Sequence, residues 1–169
     1  MKFWVALTAS ILGSLIFALP SMAMDKKIVG WVERVRLQPG NVLLEAKLDT
    51  GAEYCSLDAT NITKFSRDGQ DWVRFEVDDH HGKAVTMERP LLRQATIKRH
   101  FSKSQSRPVI RLQVCVGNVS GETDVNLVDR HGFIYPMLIG RKFMEDRLII
   151  DPAAKHTVEP TCPEQPVSE

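Results

Sequence analysis

The run Leu48-Asp49-Thr50-Gly51-Ala52 sets a carboxylate at the end of an apolar segment, Val42 to Leu48. That placement suits acid–base chemistry. A strand would hold the carboxylate on a rigid support, and Thr50 offers a hydroxyl to a facing loop. Gly51 permits a turn that other residues resist, and with Ala52 it leaves room for a substrate. Two such turns face to face bring two carboxylates within hydrogen-bonding distance. Like charges that close do not both ionise, so the pair shares one proton. The ionised member draws a proton from a trapped water, and the protonated member polarises the carbonyl under attack. Asp49-Thr50-Gly51 occurs once in the chain. A lone triplet of this kind also describes an ordinary strand-ending turn with a solvated aspartate.

A second apolar run far downstream, Met137-Leu138-Ile139, ends in Gly140-Arg141. Leu138, Ile139 and Gly140 have the hydrophobic-hydrophobic-glycine form that packs beneath a catalytic loop. The distance between the two motifs leaves space for a hairpin to cover the site. Asp78-Asp79-His80-His81-Gly82-Lys83 is a polar turn between two strand-like runs, and His80, His81 and Gly82 fit the tip of such a flap. As metal ligands these residues converge poorly, since neighbours on a strand point to opposite faces. No metal or cofactor is expected, for the chain has neither HExxH nor GxxxxGK[ST].

The supporting elements read as strands. Lys27 to Leu37 is rich in β-branched and aromatic residues, Gln38-Pro39-Gly40-Asn41 is a turn signal, and Val42 to Leu48 returns as its hairpin partner. In that partner Val42, Leu44, Ala46 and Leu48 share one face, with Glu45 and Lys47 on the other. Further strands are expected at Trp72 to Val77, Ala84 to Glu88, Leu92 to Arg99, Val109 to Val116 and Val119 to Val128. One short helix is expected from Arg141 to Asp146, then a last strand from Arg147 to Asp151. Evenly spaced strands of this kind indicate an all-β, closed or sandwiched fold.

The 169 residues suffice for one domain. Residues 1–23 read as a signal peptide. Lys2 precedes an apolar run, Pro20 breaks it, and Ser21-Met22-Ala23 is a small-x-small cleavage pattern. The alternative is a retained anchor, for which the run is of marginal length. Cleavage after Ala23 would export the chain to the periplasm or beyond and leave no stable membrane span. Residues 24–152 then form the domain, and 153–169 a proline-containing polar tail expected to be disordered. Removing Lys2 from 22 basic residues leaves 21 against 21 acidic ones. That balance, with no aromatics among Lys98-Arg99-His100, Lys103 and Arg107, excludes nucleic acid as an expected partner. Three cysteines in an oxidising compartment favour one disulfide, either Cys55–Cys115 or Cys115–Cys162, with one thiol over.

These motifs together resemble the retropepsin-like aspartic proteases, the single-lobe group that includes retroviral proteases. The likeness is closer to a bacterial family labelled "ATP-dependent zinc protease", RimK/LysX-related and described as retropepsin-like. It rests on Lys47-Leu48-Asp49-Thr50-Gly51-Ala52 with Ser56-Leu57-Asp58-Ala59. It continues in Phe65, Arg67-Asp68-Gly69, Trp72-Val73-Arg74-Phe75 and Arg107-Pro108-Val109-Ile110. It ends in Asp129-Arg130 and Tyr135 to Met144. The resemblance implies a single-lobe acid-protease barrel and Asp49 as the catalytic carboxylate. It also implies an ion pair of Glu53 with Arg141 bracing the loop, and a homodimer that completes the dyad on an extended peptide or unfolded protein. A non-catalytic peptide-binding module accessory to glutamate-ligase chemistry is the other reading it offers.

Overall fold

The computed structural model describes residues 25–99, 102–130 and 132–163. The expected leader, 1–23, and the end of the tail, 164–169, lie outside the described residues. No helix among the described residues is long and apolar enough to cross a membrane.

Six strands close a barrel. Strand β1 (Lys27–Gln38) forms the expected hairpin with β2 (Val42–Leu48), Val32 opposite Lys47 and Leu37 opposite Val42. Burial in β2 alternates residue by residue, so Glu45 and Lys47 face outward as the sequence indicates. Five further strands follow as β3 (Cys55–Asp58), β4 (Thr60–Arg67), β5 (Gln70–Asp78), β6 (Ala84–Pro90) and β7 (Arg93–Arg99). Then come β8 (Ser102–Val116), β9 (Val119–Val128), β10 (Met137–Ile139), helix α1 (Arg141–Met144) and β11 (Leu148–Lys155). The main sheet runs β11-β1-β2-β10-β3-β9-β8-β7, and pairing of β8 back onto β1 closes the ring. Leu37, Leu44, Leu57, Ile110, Leu127 and Ile139 fill it, each fully buried. The fold is therefore the all-β, single-lobe barrel with one short helix that the resemblance implies.

Strands β4, β5 and β6 form a separate three-stranded sheet whose Val73, Phe75, Val77 and Met87 join the same core. Neither β3 nor β4 shows a readable period. Strand β3 is short and buried on both faces, and β4 is almost wholly polar and exposed.

The chain beyond Pro152 is not disordered up to residue 163, contrary to expectation. Strand β11 runs through Pro152 to Lys155, and residues 156–163 form a strap along β1. Composition suggested otherwise because the strap contributes few apolar side chains, but hydrogen bonds hold it instead. The side chain of Glu33, fully buried, accepts from the Thr157 amide at 3.0 Å, the Thr157 hydroxyl at 2.6 Å and the Val158 amide at 3.2 Å. The Gly30 amide adds a fourth at 2.6 Å. Four donors on one carboxyl group offset much of its desolvation cost. Further along, the Thr161 amide reaches the Gly117 carbonyl at 2.7 Å. The disulfide is Cys115–Cys162, 47 residues apart, and Cys55 is the free, buried thiol.

Reducing this disulfide, or Cys162→Ser, is expected to cost about 2–4 kcal/mol of stability. Urea unfolding with and without reductant measures it. Coincident midpoints would show that hydrogen bonds alone secure the strap.

Candidate active site

Asp49 stands one residue beyond β2, and its backbone is fixed from three sides. Its amide donates to the Ile139 carbonyl at 2.9 Å, which extends the parallel β2–β10 ladder past Leu48. Its carbonyl accepts from the Ala52 amide at 3.1 Å, closing the turn. The first amides of α1 then hold the other limb: Arg141 N to Ala52 O at 2.8 Å and Lys142 N to Glu53 O at 3.1 Å. The Arg141 side chain also donates from Nη1 to the Thr50 carbonyl at 2.8 Å. Asp49, Thr50, Gly51, Ala52, Leu138, Ile139, Gly140 and Arg141 are thus assembled in one place.

Two glycines make this possible by having no side chain. A Cβ on Gly140 would lie 2.6 Å from the Tyr54 carbonyl group and 2.7 Å from Glu53 O, closer than atoms pack. Gly51 does not have a positive φ, so its turn does not require a glycine's backbone freedom. A Cβ there would meet Asp49 Oδ1 at 3.1 Å, where the Gly51 amide now donates at 2.9 Å.

The carboxylate itself is about a quarter exposed, at 26%. Its Oδ1 takes the Gly51 amide, and Oδ2 lies 3.2 Å from Lys47 Nζ. Partial burial raises the pKa of Asp49. The Gly51 amide, the Lys47 ammonium and the Ala52 amide more than offset that, and the net position is below the ordinary carboxylate value. Asp49 is therefore an ionised base at neutral pH. Among the described residues, no second carboxyl is bonded to it and the Thr50 hydroxyl has no hydrogen-bond partner. Beside Thr50 lies a groove of about 650 Å³, bordered by Glu53, Arg141, Met144, Leu148 and Ile150.

Two expectations are overturned. Glu53 and Arg141 do not pair: Glu53 Oε1 is 3.3 Å from Lys142 Nζ, while Arg141 is spent on the Thr50 carbonyl. The loop is braced through its main chain, because carbonyls at a tight turn need donors more than an exposed carboxylate does. The turn at His80, His81 and Gly82 is not a flap over Asp49. The His80 amide donates to the Leu43 carbonyl at 2.7 Å, at the opposite end of β2. Leu43 and Asp49 are about six residue steps apart along the strand, roughly 20 Å. Asp79 organises that turn itself, accepting the His81 and Lys83 amides at 2.8 Å each.

The hairpin that does border the site is β7–β8. A cleft of about 380 Å³ separates Tyr54, at the end of the Asp49 loop, from Arg93 to Ile97 of β7. Tyr54 carries the Arg93 guanidinium 5.1 Å and the Lys142 ammonium 4.5 Å from its ring centre. Sequence reasoning missed this cluster, and it missed Lys47 as the neighbour of Asp49. The alternation in β2 was the available signal for Lys47. Cys55 is no nucleophile. Burial pushes its thiol up, and its sulfur accepts the Gly140 amide at 3.4 Å.

A profile described as "Retropepsin-like aspartic endopeptidase RimB" matches residues 28–161. A protein of Desulfotalea psychrophila (strain LSv54 / DSM 12343) named "Probable alpha-L-glutamate ligase" is 36% identical over 139 residues. Those residues cover 79% of this chain and 30% of that protein. A protein of the same name from Parasynechococcus marenigrum (strain WH8102) is 33% identical over 138 residues, with the same coverage. The chain thus spans less than a third of the length of these curated relatives. The crystal structure of a protein of unknown function from Legionella pneumophila is 34% identical with a TM-score of 0.70, covering 80% of this chain and all of that one.

Gly140→Ala is expected to destabilise the domain by about 1–3 kcal/mol, since a methyl group must displace backbone. Thermal or urea unfolding at neutral pH reads it; a neutral substitution would mean the loop yields freely. Asp49 also contributes acid sensitivity. Its folded pKa is depressed, so its contribution is full above the unfolded value of about 3.9 and is lost as pH falls through the folded pKa. Asp49→Asn should therefore lose less stability on acidification than the wild type, measured as urea midpoint against pH. Parallel curves would place the acid sensitivity elsewhere.

Proposed function

From membership of the RimB-like family of retropepsin-like aspartic endopeptidases, to which this chain belongs, we propose that it is an exported endopeptidase working as a homodimer. Asp49 of each protomer meets its copy at a two-fold axis, and the pair activates water against a peptide bond. The observation that carries this reading is a rigidly held carboxylate in an unfinished site. Asp49 is fixed through its backbone, Thr50 and Gly51 are exposed beside it, and no second carboxyl is bonded to it among the described residues.

A second copy offers what is missing. Its Asp49 supplies the second carboxyl, and its Thr50 carbonyl or amide a partner for the Thr50 hydroxyl. The outer edge of β11 lacks a strand neighbour among the described residues, and Ile28 and Ile149 stand 65% and 50% exposed beside it. Sheet edges of this kind pair readily with another chain. The β7–β8 hairpin and the Tyr54 cleft give an extended peptide or unfolded segment a place to lie. Export is supported by the leader-like residues 1–23 and by the Cys115–Cys162 disulfide, which belongs in an oxidising compartment.

The relatives' names favour a second reading, a peptide-binding module accessory to glutamate ligation. In that role Asp49 binds without cutting. One experiment separates the two. An unstructured protein incubated at mildly acidic pH is expected to be cleaved, and Asp49→Asn to reduce kcat by about a thousandfold or more. Sedimentation equilibrium on the same sample is expected to give a dimer. Binding of the substrate without Asp49-dependent cleavage supports the accessory module instead.

A further inference from the structure

Along the outer face of β2 the charges alternate in sign toward the active loop. His156 Nε2 lies 2.9 Å from Glu45 Oε1, and Lys47 Nζ lies 3.2 Å from Asp49 Oδ2. Lys47 has an acidic residue two positions away on either side, and it bonds Asp49, while Glu45 is taken by His156. The strap that carries His156 is itself held in place, its His156 amide donating to the Val32 carbonyl at 2.8 Å. Val32 is the residue opposite Lys47 in the β1–β2 ladder.

We propose that Lys47 is a positioning residue for Asp49, holding the carboxylate ionised and oriented and so setting the pH range in which a dyad can share its proton. This rests on the endopeptidase reading for its consequence in catalysis, but the coupling of Lys47 to Asp49 stands on geometry alone. Oδ1 is held by the Gly51 amide and Oδ2 by Lys47. A carboxylate has about four acceptor sites, so each oxygen keeps one free to meet a partner.

The other charged groups around the loop bond other partners than the Asp49 carboxylate. Arg141 is on the Thr50 carbonyl, and Glu53 and Lys142 are on each other. Lys26 and Asp146, across the groove, pair at 3.0 Å. The flanking residues of β1 and β10 at this level, Val32 and Leu138, are uncharged. Arg141 keeps its charge while bonded to the Thr50 carbonyl, but Lys47 is the cation in direct contact with the Asp49 carboxylate. An ammonium beside a carboxylate favours the ionised form and lowers both apparent pKa values of a coupled pair. The singly protonated, active dyad then exists in a more acidic window than it would without Lys47.

The test uses the exported, purified protein as wild type, Lys47→Met and Lys47→Arg, each shown folded by its urea midpoint. The Asp49 carboxyl is followed by carbon-13 NMR against pH, beside the pH profile of kcat/KM. In the Met variant the carboxyl is expected to titrate at higher pH than in the wild type. Its cleavage profile should shift the same way, so that activity near neutrality gains several-fold relative to the acidic optimum. The Arg variant is expected to keep the wild-type titration. An Asp49 titration identical in wild type and Met variant overturns the proposal, even where cleavage depends on Asp49. Conversely, a titration that moves without any Asp49-dependent cleavage upholds Lys47 and removes the protease reading.

Discussion

The structure depends on the threading of one short segment. Residues 137–139 pass between β2 and β3, parallel to the first and antiparallel to the second, and the chain then turns at Gly140 into α1. Backbone groups buried there must find partners within the protein. They do so by ladder bonds to both neighbours and by amides of α1 donated to the Asp49 loop. The backbone of the Asp49 turn and strand β10 of the barrel are therefore one hydrogen-bonded unit. Nothing larger than a hydrogen fits at Gly140, where this segment crosses the loop. Precision at Asp49 is in this way a by-product of barrel closure.

Electrostatics near the loop follow from the same economy. Carbonyls exposed by a tight turn draw the nearest donors, and Arg141 is consumed by Thr50 O. Lys142 is left to Glu53 and the Tyr54 ring. The carboxylate that matters, Asp49, is served by Lys47 from its own strand. An ion pair two residues apart on a strand needs no tertiary coincidence, only the alternation of side chains.

That alternation is also what made the barrel legible. Strands β2, β5, β8 and β9 each carry a two-residue apolar period, and β1 was readable from its β-branched and aromatic content and the turn that follows it. Asp49 and the Ile139-Gly140 motif were readable because their residue types are constrained by close packing. The flap was misplaced for a physical reason. A hairpin's existence is local, but the end of the barrel over which it folds is decided by long-range contacts, the packing of Val73, Phe75, Val77 and Met87 and the bond from His80 N to Leu43 O. The strap was missed because composition reports apolar content, whereas its anchor is polar: four donors converge on the buried Glu33 carboxylate.

The Cys115–Cys162 bond encloses the later half of the barrel in a covalent ring. Strands β9, β10 and β11 and helix α1 all lie inside it, and with them the Gly140 crossing. A single backbone cut anywhere within that ring leaves both fragments tied through sulfur. The threaded segment would stay in place against the Asp49 loop after such a nick. The topology thus converts a severing event into a local scar.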